Sequence, residues 1–239
     1  RVCPAEVLLL ERHRAALAVQ VVGGVTGEAQ DGELDLLADE RSRSCLERFH
    51  EHGCRAVGDR YVAALAPKVW TSATRENFVE SVQRMRERVT DFIPANEIDL
   101  QIKLGPGGLR DIEFTVQLLQ LVHGRTDDTV RARDTISAIN ALANGGYIGR
   151  SDAAEFANHY RFLRLLEHRI QMSEMRRTHL MPTSDSKRRA LARSVSVKLS
   201  ADALIEKWES VKVEVRALHQ RIFYRPLLSA VSKLGDDSL

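Results

Sequence analysis

The sequence has few prolines and few glycines, and their scarcity predicts a helical protein. Only 14 glycines and six prolines occur among 239 residues, so long stretches contain neither. Both residues weaken helices, and their absence over many consecutive positions favours helix formation. Each proline is expected to mark a boundary between elements: Pro4, Pro67, Pro94, Pro106, Pro182 and Pro226. No internal repeat of fixed period is present, which argues against a helical solenoid.

Cysteine is scarce as well, and its placement argues against a disulfide framework. The three cysteines, Cys3, Cys45 and Cys54, are odd in number and confined to the first quarter of the chain. We therefore expect a reducing, cytoplasmic compartment. Cys45 and Cys54 lie near His50 and His52, but this spacing matches no familiar zinc arrangement, so we assign no metal ligands there.

No sign of charge dominates, and no apolar run is long. The sequence has 35 Lys and Arg residues and 33 Asp and Glu residues, which gives a net charge of +2, and aromatic residues make up only 5%. This balance gives no case for nucleic-acid binding or for an anionic membrane surface. No uninterrupted apolar segment approaches membrane-spanning length, and the first residues do not resemble a signal peptide.

Apolar residues recur at helical spacing from about residue 59 onward, which predicts an all-α fold, an irregular helical bundle. The most regular stripe comprises Leu204, Trp208, Val211, Val215, Leu218 and Ile222. Another comprises Phe78, Val82, Met85, Val89 and Phe92. The charged residues opposite this second stripe are interpreted as a solvated face: Arg84, Arg86, Glu87 and Arg88. We expect three regions: a poorly defined segment over 1–57, a helical domain over 58–225, and a linker or tail over 226–239.

The stretch from Glu97 to Val122 combines three features that together predict an anion or phosphate site. Apolar residues alternate from Ile98 to Leu104, which predicts one short extended segment before a glycine-rich turn. The turn is Gly105-Pro106-Gly107-Gly108, and a helix opens at Leu109. A helix N-terminus favours anions through its free N–H groups and its dipole, and Lys103 and Arg110 flank it.

The same helix carries a polar stripe on an otherwise apolar surface. Arg110, Glu113, Gln117 and Gln120 are separated by steps of three, four and three, so they share one face. Buried polar groups need partners, which here are other side chains, water or a ligand. The alternative is an Arg110–Glu113 intrahelical pair with solvated glutamines. Further along, Glu167 is interpreted as a satisfied structural carboxylate.

The string from Ile102 to Phe114 resembles a motif in the helical domain of the bacterial glutamine synthetase adenylyltransferase family. A related Lys…Gly-Pro-Gly-Gly-Leu-Arg-Asp motif occurs in the uridylyltransferase that modifies the PII signalling protein. Two further stretches, Tyr160–Gln171 and Phe223–Leu228, resemble the adenylyltransferase specifically. The likeness runs from about Gly58 to Ala230.

This resemblance implies part of a multifunctional enzyme of nitrogen regulation. Such enzymes have two halves, each a nucleotidyltransferase domain followed by a helical domain. One half attaches AMP from ATP to a tyrosine of glutamine synthetase, and the other removes it by phosphorolysis and releases ADP. The motif here resembles the N-terminal, deadenylylating half. The implied partners are glutamine synthetase, the PII protein and a nucleotide, with Mg²⁺ bound by the nucleotidyltransferase core.

That core is not found in this sequence. The family's core carries a Gly-Ser turn and paired aspartates that hold metal ions. The nearest acidic pair, Glu33 and Asp35, lacks a preceding Gly-Ser turn. We therefore assign no catalytic residue and no metal ligand, and we expect this chain alone to be inactive.

The pattern and the resemblance together assign nucleotide or phosphate binding to Lys103, Gly105, Gly107, Gly108, Arg110, Asp111, Glu113 and Gln117. Lys103 and Arg110 would neutralise phosphate charge, Glu113 and Gln117 would orient them, and Asp111 would brace the helix N-terminus. One alternative is a non-catalytic helical module that binds PII or glutamine synthetase through the arginines between Arg176 and Arg193. Another is the helical domain of a PII uridylyltransferase-like protein.

Overall fold

The computed structural model describes the backbone of residues 55–236 and most of the side chains between residues 60 and 224. Within these residues it contains seven α-helices and no β-strand, which confirms the all-α class. The helices are α1 (Arg55–Trp70), α2 (Phe78–Asp91), α3 (Leu109–His123), α4 (Thr135–Asn144), α5 (Arg150–Glu174), α6 (Asp185–Val195) and α7 (Ala201–Asp236). None of these helices combines the length and the apolar surface needed to cross a membrane.

One apolar core lies among the last five helices. Helices α3 to α7 pack against one another, and their inward side chains form a single buried cluster. The predicted stripe of α7 is confirmed, since all six of its residues are buried. Helical spacing also predicts an apolar stripe on α5, and all five of its residues are buried: Phe156, Tyr160, Leu163, Leu166 and Ile170. Burial of each large apolar side chain contributes roughly 1.5–3 kcal/mol, so this core holds the helices that carry the polar residues described below.

The chain divides into two compact units, one ending at Met85 and the other beginning at Arg86. Helix α2 contains residues of both units. All polar residues discussed below as a candidate site belong to the second unit. The domain boundaries that we predicted at 57/58 and 225/226 stay predictions. The acidic pair Glu33/Asp35 and the group Cys45, His50, His52 and Cys54 lie outside the described residues.

Two prolines lie inside helices, so the prediction that every proline marks a boundary is wrong for them. Helix α1 continues through Pro67 to Trp70, and the backbone of α7 continues through Pro226 to Asp236. Proline removes one N–H donor but keeps its carbonyl. The Pro67 carbonyl accepts from the Thr71 N–H at 3.1 Å and from its hydroxyl at 2.8 Å, so helical hydrogen bonding resumes after the proline.

The interpretation of α2 needs two corrections. Phe92, predicted to face inward, lies just past the end of the helix and is 85% exposed. Arg86, predicted to lie on a solvated face with Arg84 and Arg88, is buried. A buried guanidinium requires a compensating charge. Asp111 supplies it from α3, a contact that periodicity along α2 alone does not reveal.

The segment before the glycine turn is extended at one residue only. Ile98–Leu100 is a 3₁₀ turn, and Gln101 forms an isolated antiparallel bridge with Leu180. The Ile102 N–H donates to the His179 carbonyl at 2.9 Å. The predicted alternation therefore does not produce a strand, because the chain folds back onto itself immediately after this bridge.

Candidate functional site

The N-terminal N–H groups of α3 are hydrogen-bonded within the glycine turn. Three N–H groups donate to turn carbonyls at 3.0–3.1 Å: Gly108 to Gly105, Leu109 to Ile102, and Arg110 to Lys103. The Gly107 N–H donates to the Asp111 carboxylate at 2.7 Å. These N–H groups already have partners within the protein, so they are not free donors for an anion. The phosphate site assigned to the turn stays a prediction.

Steric constraints explain why two of the turn residues are glycines. Gly107 has a φ of +74°, and a Cβ there would overlap the backbone carbonyl of Lys212 on α7. A Cβ on Gly108 would lie 2.7 Å from the Ile102 carbonyl oxygen. Any other residue would therefore force the backbone to move. These glycines let the turn pack tightly against α7 and against itself.

Asp111 lies at the centre of a buried ionic network. Its Oδ1 accepts from Nε and Nη2 of Arg86, at 2.9 and 2.6 Å, and its Oδ2 accepts from Gly107. Asp111 is fully buried, and the Arg86 side chain is 6% exposed. Two donors of one guanidinium and a backbone N–H satisfy both carboxylate oxygens. A second cation, Arg216 of α7, lies 3.7 Å from Oδ2.

His219 of α7 extends the same network. The Thr115 hydroxyl donates to the Asp111 carbonyl and lies 2.7 Å from His219 Nδ1. A hydroxyl has only one proton, so Nδ1 must donate to Thr115. Burial lowers the pKa of His219 to about 4; Asp111 acts against this shift, and Arg86 and Arg216 act with it. The imidazole is therefore neutral near pH 7.

A second polar cluster lies between the glycine turn, α3 and α5, and it begins with Glu167. Lys103 Nζ lies 3.2 Å from Glu167 Oε1, and Arg164 pairs with Oε2. His179 Nδ1 lies 2.9 Å from Oε1, and Gln171 donates to the same oxygen at 3.4 Å. Burial raises the pKa of Glu167, but His179, Lys103 and Arg164 outweigh it and lower the pKa to about 2.

Arg110 and Glu113 continue this cluster along α3. Their side chains form an ion pair at 3.5 Å, which confirms the intrahelical pair that we considered as an alternative. The Tyr160 hydroxyl donates weakly to Glu113 at 3.5 Å. Burial, followed by the charge of Glu113, raises the pKa of Tyr160 to about 12, so the phenol stays protonated.

Two polar atoms of α3 are buried without a hydrogen-bond partner among the described residues. They are Arg110 Nε and Gln117 Oε1. Gln120, the last residue of the predicted polar stripe, instead donates to the carbonyls of Val130 and Ala132 at 2.6 and 2.9 Å. Gln120 therefore braces a loop, whereas Arg110 and Gln117 keep bonding capacity for a ligand or for water.

We call Lys103, Arg110, Glu113, Tyr160, Arg164, Glu167 and His179 the half-buried cluster. Its three fixed cations and two carboxylates together give one excess positive charge. The Arg164 side chain is 29% exposed, and those of Lys103 and Arg110 are 13% and 15% exposed. Partial burial strengthens the attraction of these cations for an anion, because less water screens them.

The described side chains do not fit a Mg²⁺ site. Among them, no group of three or more His, Cys, Asp or Glu residues is arranged to hold a metal ion. Glu113 and Glu167 are already paired with cations.

The sequence assignment missed six residues that the structure places in the two clusters. Arg86 and His219 belong to the buried network, and Tyr160, Arg164, Glu167 and His179 belong to the half-buried cluster. The sequence spacing could have revealed part of the half-buried cluster, because Tyr160, Arg164 and Glu167 are separated by four and three residues and share one face of α5. The other contacts join residues that are distant in sequence.

The fold and the glycine turn define an all-α helical domain. A family model described as GlnD PII-uridylyltransferase matches residues 76–223. The chain belongs to this family. The match includes the glycine turn, both polar clusters and the helices that carry them.

The similar curated proteins are bifunctional glutamine synthetase adenylyltransferase/adenylyl-removing enzymes. The protein from Leifsonia xyli is 62% identical over 181 residues, which cover 76% of this chain and 18% of the relative. Those from Streptomyces coelicolor and Mycobacterium bovis are 53% and 46% identical over 77% of this chain, and over 18% and 19% of their own lengths. The matched region thus spans less than a fifth of each relative, and it corresponds to a helical part of these enzymes.

Proposed function

We propose that this chain is the helical part of a bifunctional enzyme that adenylylates and deadenylylates glutamine synthetase. We propose further that its half-buried cluster binds a phosphate group of the nucleotide or of inorganic phosphate. The observation that carries the second proposal is the excess positive charge of this cluster, together with the unpartnered Arg110 Nε. The high identity to the named relatives supports the first.

The cluster suits a phosphate because its cations are held before the ligand arrives. Lys103 and Arg110 are attached to one turn, where the Arg110 N–H bonds the Lys103 carbonyl at 3.0 Å. Each side chain is aligned by a carboxylate, Glu167 or Glu113. Cations fixed in this way stabilise developing charge on a phosphoryl group with little reorganisation. Gln117 would add a polar contact.

The remaining assigned residues act on the shape of the site in this proposal. Gly105, Gly107 and Gly108 form the turn, and Asp111 fixes it through the Gly107 N–H. They would hold Lys103 and Arg110 in position without contacting the ligand. This scaffolding role differs from the phosphate binding that the sequence assigned to the glycines, and it agrees with the bracing role expected for Asp111.

We place the chain in the N-terminal, deadenylylating half, on the form of its motif. There a phosphate oxygen would attack the adenylyl phosphorus, forming a P–O bond in ADP. The bond to the tyrosine oxygen would break, and the tyrosine would recover a proton. ATP, Mg²⁺ bound by a nucleotidyltransferase core, the PII protein and a cytoplasmic location belong to the same proposal, as they do in the family that the motif resembles.

Substitution in the complete enzyme tests the phosphate site. We expect Lys103→Ala and Arg110→Ala to lower phosphate-dependent ADP release from adenylylated glutamine synthetase by about 10- to 100-fold. Lys187→Ala is the matched control, since Lys187 is an exposed lysine paired with Glu174. Wild-type rates in both variants, with the fold intact by circular dichroism, would contradict the assignment.

A second candidate function is protein binding without catalysis. Around the end of α5, Met172 and Met175 are 66% and 89% exposed, and the Arg176 side chain is 72% exposed. Exposed methionines beside arginines are typical of interaction surfaces. Calorimetry of this chain separates the two functions. Binding of PII or glutamine synthetase without binding of ATP, ADP or phosphate would favour the module.

A further inference from the structure

Glu167 joins three separate segments of the half-buried cluster. Lys103 comes from the glycine turn, Arg164 from one turn earlier in α5, and His179 from the segment that bridges to Gln101. The Glu167 side chain is only 1% exposed. The position of this one carboxylate therefore determines where the cations from all three segments lie.

The two fixed cations occupy different oxygens of the same carboxylate. Lys103 lies at Oε1 and Arg164 at Oε2. Lysine and arginine bind phosphate oxygens with the same charge-assisted hydrogen bonds that they make to carboxylates. The outer cation, Arg164, is more exposed than Lys103, so a ligand arriving from solvent meets Arg164 first.

We propose that Glu167 is a positioning residue that holds Lys103 and Arg164 as a two-cation clamp for one phosphate group. This inference rests on the proposed function, and it adds Arg164 to the residues that contact phosphate. Glu167 itself does not touch the ligand. It acts through the two cations, and its negative charge also offsets the repulsion between them.

The direction in which Glu167→Gln changes the phosphate KM separates this role from simple charge neutralisation. If Glu167 only reduced the positive charge, Glu167→Gln would strengthen attraction for phosphate and lower its KM. If Glu167 positions the cations, the same variant releases them and raises the KM. Glu167→Asp keeps the charge but shortens the side chain by one methylene. Positioning predicts a raised KM there too, whereas neutralisation predicts no change.

The test measures KM and kcat for inorganic phosphate in the complete enzyme. We expect both variants to raise the phosphate KM about tenfold, with a smaller change in kcat, because misplaced contact groups weaken binding by such factors. Adding Arg164→Ala should reduce the effect of Glu167→Gln without abolishing it, since Glu167 acts through Lys103 as well as Arg164. Glu174→Gln, a carboxylate of the same helix paired with Lys187, is the control and should leave the KM unchanged.

A KM that falls in Glu167→Gln, or that is unchanged in either variant, overturns the inference. A merely structural role would reduce the amount of folded enzyme, and would lower the maximal rate without moving KM. Lys103→Ala, measured in parallel, identifies which claim fails. If Lys103→Ala also leaves the KM unchanged, the proposed phosphate site is contradicted. If Lys103→Ala raises the KM while the Glu167 variants do not, only the positioning role of Glu167 is contradicted.

Discussion

Helix α3 carries two ionic clusters on different faces, and they differ in how fully their hydrogen-bonding groups are satisfied and in the burial of their main ion pair. Around Asp111, a buried carboxylate is matched by Arg86 and by the Gly107 N–H, and His219 is held neutral. In the half-buried cluster, Lys103 and Arg110 remain partly exposed, and one positive charge is in excess. The first arrangement satisfies its carboxylate from within the protein, and the second is the one that we propose binds an anion.

The difference shows how adjacent residues of one motif can serve separate purposes. Arg110 and Asp111 are neighbours in sequence, yet Arg110 faces Glu113 while Asp111 faces Arg86. A buried pair is costly to break, because the remaining charge is left without compensation. We therefore expect substitutions near Asp111 to affect folding, and substitutions near Arg110 to affect binding.

The largest expected effect comes from breaking the buried pair. Asp111→Asn keeps the side-chain size but leaves Arg86 buried without a counter-charge, which we expect to lower the free energy of unfolding by about 3–5 kcal/mol. Urea unfolding of the chain measures this change. Asp202→Asn, at an exposed acid in the first turn of α7, is the control. A loss below about 1 kcal/mol would mean that the pair does not hold this region together.

A substitution in the glycine turn should also lower the free energy of unfolding. Gly107→Ala combines a positive φ with overlap of the Lys212 carbonyl, so we expect a loss of about 2–4 kcal/mol. Gly146→Ala is a matched control, because Gly146 has a φ of +76° but no heavy atom within 4 Å of the position that a Cβ would take. Its cost should be only about 1 kcal/mol. Equal losses in the two variants would exclude tight packing against α7.

The pH dependence of stability tests whether His219 stays neutral in the folded state. Its pKa is lowered to about 4 from an unfolded value of 6.5. The unfolded chain therefore binds a proton first as the pH falls, and stability is lost between pH 6.5 and 4, by about 3 kcal/mol from this group. His219→Asn should remove that part of the pH dependence. Identical unfolding profiles of the two proteins as the pH falls through this range would contradict the interpretation.

The smallest effect is expected in the half-buried cluster. Glu113→Gln replaces the carboxylate with an amide whose oxygen can still accept from Arg110, and the original contact is long, at 3.5 Å, so we expect a loss of about 1 kcal/mol. Thermal unfolding should therefore change little compared with Asp111→Asn. A loss as large as that of Asp111→Asn would remove the distinction between the two clusters.

The sequence predicted the helical class, the stripes of α5 and α7, and the importance of the glycine turn, because these depend on local spacing. It did not predict that Arg86 is buried, since the partner of Arg86 lies 25 residues away. It also assigned the turn N–H groups to a ligand, although turn carbonyls and Asp111 occupy them. Such pairings depend on how the chain folds back, which periodicity does not encode.

Side-chain NMR of arginine during a titration with inorganic phosphate tests the central claim most directly. The Nε–H resonance reports on each guanidinium separately, and Arg110 Nε has no partner among the described residues. We predict that the Arg110 and Arg164 resonances shift with saturation, while that of Arg86 stays unchanged. A shift of the Arg86 resonance without shifts of the other two, or no shift at all, would contradict the claim that the half-buried cluster is the phosphate site.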